Sequence, residues 1–187
     1  MDVNDMGRDL EKILVSAKEI DARLSELAKE IDEYYDGEPI VLVGVLRGSV
    51  MAMADLARKL HTPLVMDWMA TSSYGSGTKS SGVVRILKDL NEDISGRRIL
   101  IVEDIVDSGL TLSWLVENLQ SRGPKEIKIM TMLRKPEAIR KMKVGVDWVA
   151  FDVGEEFVIG YGLDYAEEYR GLPFIGTLAS HVYGGEE

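Results

Sequence analysis

The sequence contains no cysteine. Disulfides, thiolate nucleophiles, zinc–thiolate sites and iron–sulfur clusters are thereby excluded. Histidine is scarce too: only His61 and His181 occur, and neither has a His or carboxylate at zinc-like spacing. Basic residues are in deficit, with 22 Lys plus Arg against 32 Asp plus Glu and a formal net charge of −10. That balance argues against a nucleic-acid sleeve or an anionic-membrane binder, because both depend on clustered basic side chains. It leaves anionic small molecules open, since local groups and metal ions hold those. No stretch approaches the roughly 18 apolar residues of a membrane span. The opening MDVNDMGRDLEK carries acids where a signal peptide has a basic start and an apolar core. A soluble, cytoplasmic protein is expected. Internal repeats and long linkers are also missing, so residues 1–187 read as a single domain with a full core.

What is present is globular: 45% hydrophobic and 29% charged residues. Leu10, Ile13, Leu14, Ala17, Ile20, Leu24, Leu27 and Ile31 recur in steps of three and four, which predicts an amphipathic helix over 10–31. Gly37 and Pro39 break it. Ile40 to Leu46 is a near-continuous apolar run, as in a strand buried on both faces. Val50 to Leu60 then reads as a helix with Ser49 as N-cap. Strands are expected at 64–70, 83–87, 98–102 and 127–133, with a helix over 111–122 closed by Gly123-Pro124. Val149 to Val153 and Phe157 to Ile159 are short apolar runs, and the tail after Pro173 is mostly irregular apart from FIGTL. Strand and helix alternate, so the fold class is α/β with a mostly parallel sheet flanked by helices. Ligands of such sheets bind beyond the carboxyl ends of the strands.

Two segments stand apart. Residues 71–82 (TSSYGSGTKSSG) hold no apolar anchor but Tyr74, and so suit either a lid or an unstructured loop. Residues 99–112 read ILIVEDIVDSGLTL. Four apolar residues end in Glu103-Asp104, and adjacent carboxylates at a buried strand end are costly without partners. Side chains alternate on a strand, so the two diverge. Asp107-Ser108-Gly109-Leu110-Thr111 follows directly before a helix. Gly109 permits a tight turn whose amides, with the helix N-terminus and the Ser108 and Thr111 hydroxyls, suit a monophosphate. The plain alternative is a strand-to-helix turn with Asp107 or Ser108 as N-cap. An acidic pair beside a phosphate cradle matches a sugar phosphate, and neither the Walker nor the dinucleotide glycine spacing is present.

This string resembles the phosphoribosyl-pyrophosphate (PRPP) motif of the type I phosphoribosyltransferases. GVLRGS at 44–49, SSYGSGTKSSGVVRI at 72–86, LRKPE at 133–137 and EFVIGYGLDYAEEYR at 156–170 narrow the resemblance to the hypoxanthine-guanine phosphoribosyltransferases. The resemblance implies the type I fold, with a small hood of terminal segments and a mobile lid over about 71–82. It implies Mg²⁺-dependent transfer of the 5-phosphoribosyl group from PRPP to N9 of a 6-oxopurine, giving a nucleoside monophosphate (IMP or GMP) and pyrophosphate. A homodimer or homotetramer is implied too.

Residue by residue, the resemblance gives Glu103 and Asp104 the ribose hydroxyls, directly or through a metal. It gives the 5′-phosphate to Asp107, Ser108, Gly109, Leu110 and Thr111. Asp107 would serve as general base or acid at purine N7, a role typically worth about 10²–10⁴ in rate. Arg47 and Gly48 would bind pyrophosphate after a cis Leu46–Arg47 bond, joined by Arg170 and, from the lid, by Ser73 and Tyr74. Lys135 would donate to the purine 6-oxo group, Phe157 would stack on the base and Val158 would bind it through its backbone. Asp164 would border the purine and act as the second Mg²⁺-linked carboxylate, in keeping with the few protein ligands Mg²⁺ takes. Arg47, Arg134 and Gly154-Glu155 depart from the family's commoner residues. Two rival readings are a nucleotide-sensing RNA-binding regulator of the same fold and a transferase preferring xanthine or adenine. The first needs a basic face, and Lys135 disfavours adenine.

Overall fold

Apolar runs without alternation form the centre of the molecule, as they do when helices cover both faces of a sheet. The computed structural model describes residues 6–73, 84–136 and 144–183. Six strands hydrogen-bond in the order β4-β3-β2-β5-β6-β7: β2 (Ile40–Leu46), β3 (Leu64–Ser73), β4 (Val84–Lys88), β5 (Arg98–Val106), β6 (Glu126–Arg134) and β7 (Trp148–Asp152). All run parallel except β4, which closes the edge antiparallel to β3. Alternation along β5 divides the core. Leu100 and Val102 pack with Leu24, Leu27 and Ile31 of α1 (Ala17–Tyr35) and Met53 and Leu56 of α2 (Val50–Lys59). Ile99 and Ile101 pack on the other face with Leu112, Leu115 and Leu119 of α3 (Leu110–Gln120). Each fully buried Leu or Ile contributes about 1.5–3 kcal/mol by leaving water.

A second sheet, β1 (Leu10–Val15), β9 (Ile175–Leu178) and β8 (Val158–Ile159), is antiparallel and joins segments from both ends of the chain. Met6, Ile159, Leu172, Phe174 and Leu178 form its own apolar cluster, and a short α4 (Ser180–Tyr183) follows. Among the described residues, no helix is long and apolar enough to cross a membrane.

The helix expected over 10–31 is divided at Ser16. Ser16 and Glu19 form a capping box, Ser16 N–H donating to Glu19 Oε2 at 2.8 Å and Glu19 N–H to Ser16 Oγ at 3.3 Å. The helix therefore starts at Ala17, while Leu10–Val15 pairs with Ile175–Leu178. Register shifts between Leu10 and Lys12 and between Ile13 and Val15 spoil strict alternation, so a bulged strand mimics helical spacing. The strand expected to stop at Val102 continues to Val106, which puts both carboxylates inside β5. Neither Asp107 nor Ser108 caps α3; Gly109 holds the N-cap position at φ +69°. Ser49 holds that position on α2 but makes no side-chain cap; its hydroxyl donates to Val45 O at 2.7 Å.

Candidate active site

Parallel pairing brings the carboxyl ends of β2, β5 and β6 together, with Arg47 and Gly48 after β2, Glu103 to Thr111 at and after the end of β5 and Lys135 after β6; Phe157 and Val158 lie by the second sheet. A cavity of about 200 Å³ opens beyond β5, lined by Glu103, Asp104, Asp107, Ser108, Gly109 and Thr111 over Val45 and Leu112. Gly109 is needed at its left-handed turn, which would strain any residue with a Cβ. Glu103 is 7% exposed, and burial, reinforced by Asp104, pushes its carboxyl well above the ordinary carboxylate range. Burial raises Asp104 as well, partly offset by the Ile105 amide at 2.7 Å and by Arg170. Asp104 also abuts the turn after β2: a Cβ on Gly48 would fall 1.4 Å from Asp104 Oδ2.

That turn begins with a cis Leu46–Arg47 peptide bond. Gly48 meets a second turn, since a Cβ on Gly162 would lie 1.8 Å from Gly48 O. Arg170 reaches back to the same place, donating to Gly162 O at 2.8 Å and pairing with Asp164 Oδ1 at 2.8 Å. Backbone in this region is unusual. Tyr161, Ala166, Glu167 and Tyr169 all have positive φ without being glycine. Such residues cost about 1–3 kcal/mol each and concentrate at functional segments.

β6 leads into Lys135, which reaches Asp107 of the cavity lining. Its amide donates to Val106 O at 3.0 Å, and its ammonium lies 3.1 Å from Asp107 Oδ1 and 3.9 Å from Glu155 Oε2. The Lys135 side chain is only 14% exposed, while Asp107 stands out into solvent. Arg134, a departure from the family pattern, has a clear partner. It sits opposite Asp152 in the β6–β7 register and binds its carboxylate through Nε at 2.6 Å and Nη2 at 2.9 Å. Asp152 pulls the Arg134 guanidinium up, and Arg134 holds Asp152 below its usual range. Phe157 is exposed and stands edge-on to Tyr165, with centroids 5.7 Å apart; Val158 is buried in β8.

Of the expected lid, 71–73 belong to β3, whereas Tyr74 and the residues to 82 lie outside the described residues. Among the described residues, no group of three or more His, Asp or Glu is arranged to hold a metal ion. Two contributors went unread in the sequence. Asp152 fixes Arg134, a pairing that only the strand register creates. Glu167 bridges Arg47 and Arg170 and has no motif signal of its own.

The comparisons agree with this geometry. The family model described as phosphoribosyl transferase domain matches residues 13–166. Fold and site thus define a phosphoribosyltransferase. A hypoxanthine-guanine phosphoribosyltransferase of Bacillus subtilis is 52% identical over 179 residues, covering 95% of this chain and 98% of that protein. A hypoxanthine phosphoribosyltransferase from Staphylococcus aureus superposes with a TM-score of 0.91 at 44% identity, covering 96% of this chain and 97% of that one. A Trypanosoma cruzi hypoxanthine phosphoribosyltransferase complexed with the product IMP does so with a TM-score of 0.86 at 43% identity, covering 93% of each chain. The chain belongs to the hypoxanthine-guanine phosphoribosyltransferase family, enzymes of purine salvage that use PRPP.

Proposed function

We propose that the cavity beyond β5 holds the ribose 5-phosphate of PRPP and that a 6-oxopurine enters between Asp107, Lys135 and Phe157. The observation that carries this is the placement of a buried acidic pair, a Gly109 turn and the Lys135–Asp107 pair around one cavity. The amides and hydroxyls of the 107–111 turn face the 5′-phosphate, where the α3 N-terminus adds positive potential. Glu103 and Asp104 accept from the ribose hydroxyls. As the bond from C1′ to pyrophosphate breaks and that to N9 forms, Asp107 holds or takes the proton at purine N7. Lys135 is paired with Asp107; a base inserts its 6-oxo oxygen toward Lys135 and leaves Asp107 to N7. Arg47, Gly48 and Arg170 meet the departing pyrophosphate; by the family resemblance Ser73, the last residue of β3, and Tyr74 would join them.

The donor set fits Mg²⁺. Glu103 and Asp104 are adjacent carboxyl groups with few charged partners at the end of a buried strand, and a hard cation that takes few protein ligands suits such oxygens. Asp164, together with Glu103 and Asp104 through ribose hydroxyls, would hold it. When bound, the ion supplies charge neutralisation for the leaving pyrophosphate. A homodimer or homotetramer in the cytoplasm completes the reading; exposed Val50, Val65 and Met66 offer apolar surface for the assembly.

Initial rates with hypoxanthine, guanine, xanthine and adenine test the purine side. Hypoxanthine and guanine are expected to release pyrophosphate from PRPP, and adenine is not. In Lys135→Ala the KM for oxopurine should rise at least tenfold with the KM for PRPP within about twofold, since one charge-assisted hydrogen bond is lost. Equal losses on both substrates would remove Lys135 from the purine site.

A further inference from the structure

Arg47 and Arg170 arrive from loops 123 residues apart, and one side chain joins them. Glu167 Oε2 lies 2.6 Å from Arg47 Nη1 and 3.2 Å from Arg170 Nη2. Its amide donates to Asp164 Oδ2 at 2.9 Å, and its own φ of +68° turns the side chain out of a tight bend. The guanidinium groups of Arg170 and Arg47 hold its carboxyl below the ordinary range, so it is charged at neutral pH.

We infer that Glu167 is a stand-in anion: its carboxylate occupies the two guanidinium groups and is displaced when a pyrophosphate group enters. The inference rests on the assignment of Arg47 and Arg170 to pyrophosphate made above. Glu167 acts through those arginines and is a positioning residue. It keeps two like charges together until substrate arrives. It also competes with the ligand, because both ion pairs must break before phosphate oxygens take their place. The apparent affinity is lowered by the fraction of sites in which the carboxylate still holds the arginines. Pyrophosphate, as product, would leave correspondingly faster.

The test is calorimetric titration of the whole chain with inorganic pyrophosphate in Mg²⁺ buffer, alongside steady-state kinetics. In Glu167→Gln the Kd for pyrophosphate and the KM for PRPP should both fall about two- to fivefold, the scale of a partly exposed ion pair. The KM for hypoxanthine should not move. Glu168→Gln removes the same charge one residue away and should change neither constant. An unchanged or weakened pyrophosphate Kd in Glu167→Gln would overturn the inference, as would an equal gain in Glu168→Gln. Arg47→Ala and Arg170→Ala separate the two levels of argument. If neither weakens pyrophosphate binding, the assignment of that site falls and the inference with it. If both do while Glu167→Gln is silent, the inference alone falls.

Discussion

Replacing Asp67 with Asn should lower the stability of the whole molecule through a loop that carries no chemistry. Asp67 is 3% exposed in β3, and its carboxylate accepts from Trp68 N–H at 2.7 Å, Asn91 N–H at 2.7 Å and Glu92 N–H at 2.9 Å. Lys88 Nζ stands 3.5 Å away. Burial alone would raise this carboxyl, but the three amides and Lys88 outweigh it and hold the group below its ordinary 3.8. Asn keeps the shape, loses the charge and turns an NH₂ toward amide donors. Hydrogen bonds to a charged group are worth about 1.5–3 kcal/mol, so a loss of about 3 kcal/mol is expected. At about 2–4 °C per kcal/mol for a chain of this size, Tm should fall by roughly 6–12 °C at pH 7. The pH dependence has a definite sign. With its folded value depressed, Asp67 stabilises above 3.8 and loses that contribution as pH falls through the folded value. Thermal melts from pH 7 down to pH 3 should therefore show the gap between parent and variant closing below about pH 4. A gap that is constant with pH, or a variant as stable as the parent at pH 7, would refute the reasoning.

Gly48→Ala should cut turnover more than tenfold with little change in Tm. Its Cβ would collide with the Asp104 side chain from Oδ2 to Cβ, and turning that carboxylate aside would take it from the ribose position proposed for it. Comparing kcat/KM for PRPP with a melting curve checks both halves. Arg134→Ala should do the reverse. Losing a half-exposed pair with Asp152 removes up to about 1 kcal/mol, or about 2–4 °C in Tm, and leaves the KM for hypoxanthine within twofold. A tenfold change in that KM would make Arg134 part of the purine site.

The central sheet was legible because β2 and the first half of β5, Ile99–Val102, are apolar runs without polar alternation, a pattern that parallel strands covered on both faces require. The 107–111 turn was legible for a similar reason: Gly109 before an apolar helix needs a left-handed residue, and glycine is the one that takes it at least cost. β1 was not. Its bulges place apolar residues three and four apart, and its partner Ile175–Leu178 lies at the other end of the chain. Arg134 looked like an unexplained departure because its partner depends on how β6 registers against β7, which no single strand records. The Glu167 bridge was hidden for a related reason. Tyr161, Ala166, Glu167 and Tyr169 adopt left-handed backbone that their types do not favour, so only the packed loops reveal where the carboxylate points.

The central claim is that the turn after β5 brings a proton-handling carboxylate to the purine, beside Lys135. Asp107→Asn, assayed with hypoxanthine, PRPP and Mg²⁺, tests it most directly. The side chain is solvent-facing and caps no helix, so the fold should persist with Tm within a few degrees. The predicted result is a fall in kcat of about 10²–10⁴ with the KM for PRPP within about threefold. Near-normal turnover by that variant would contradict the account.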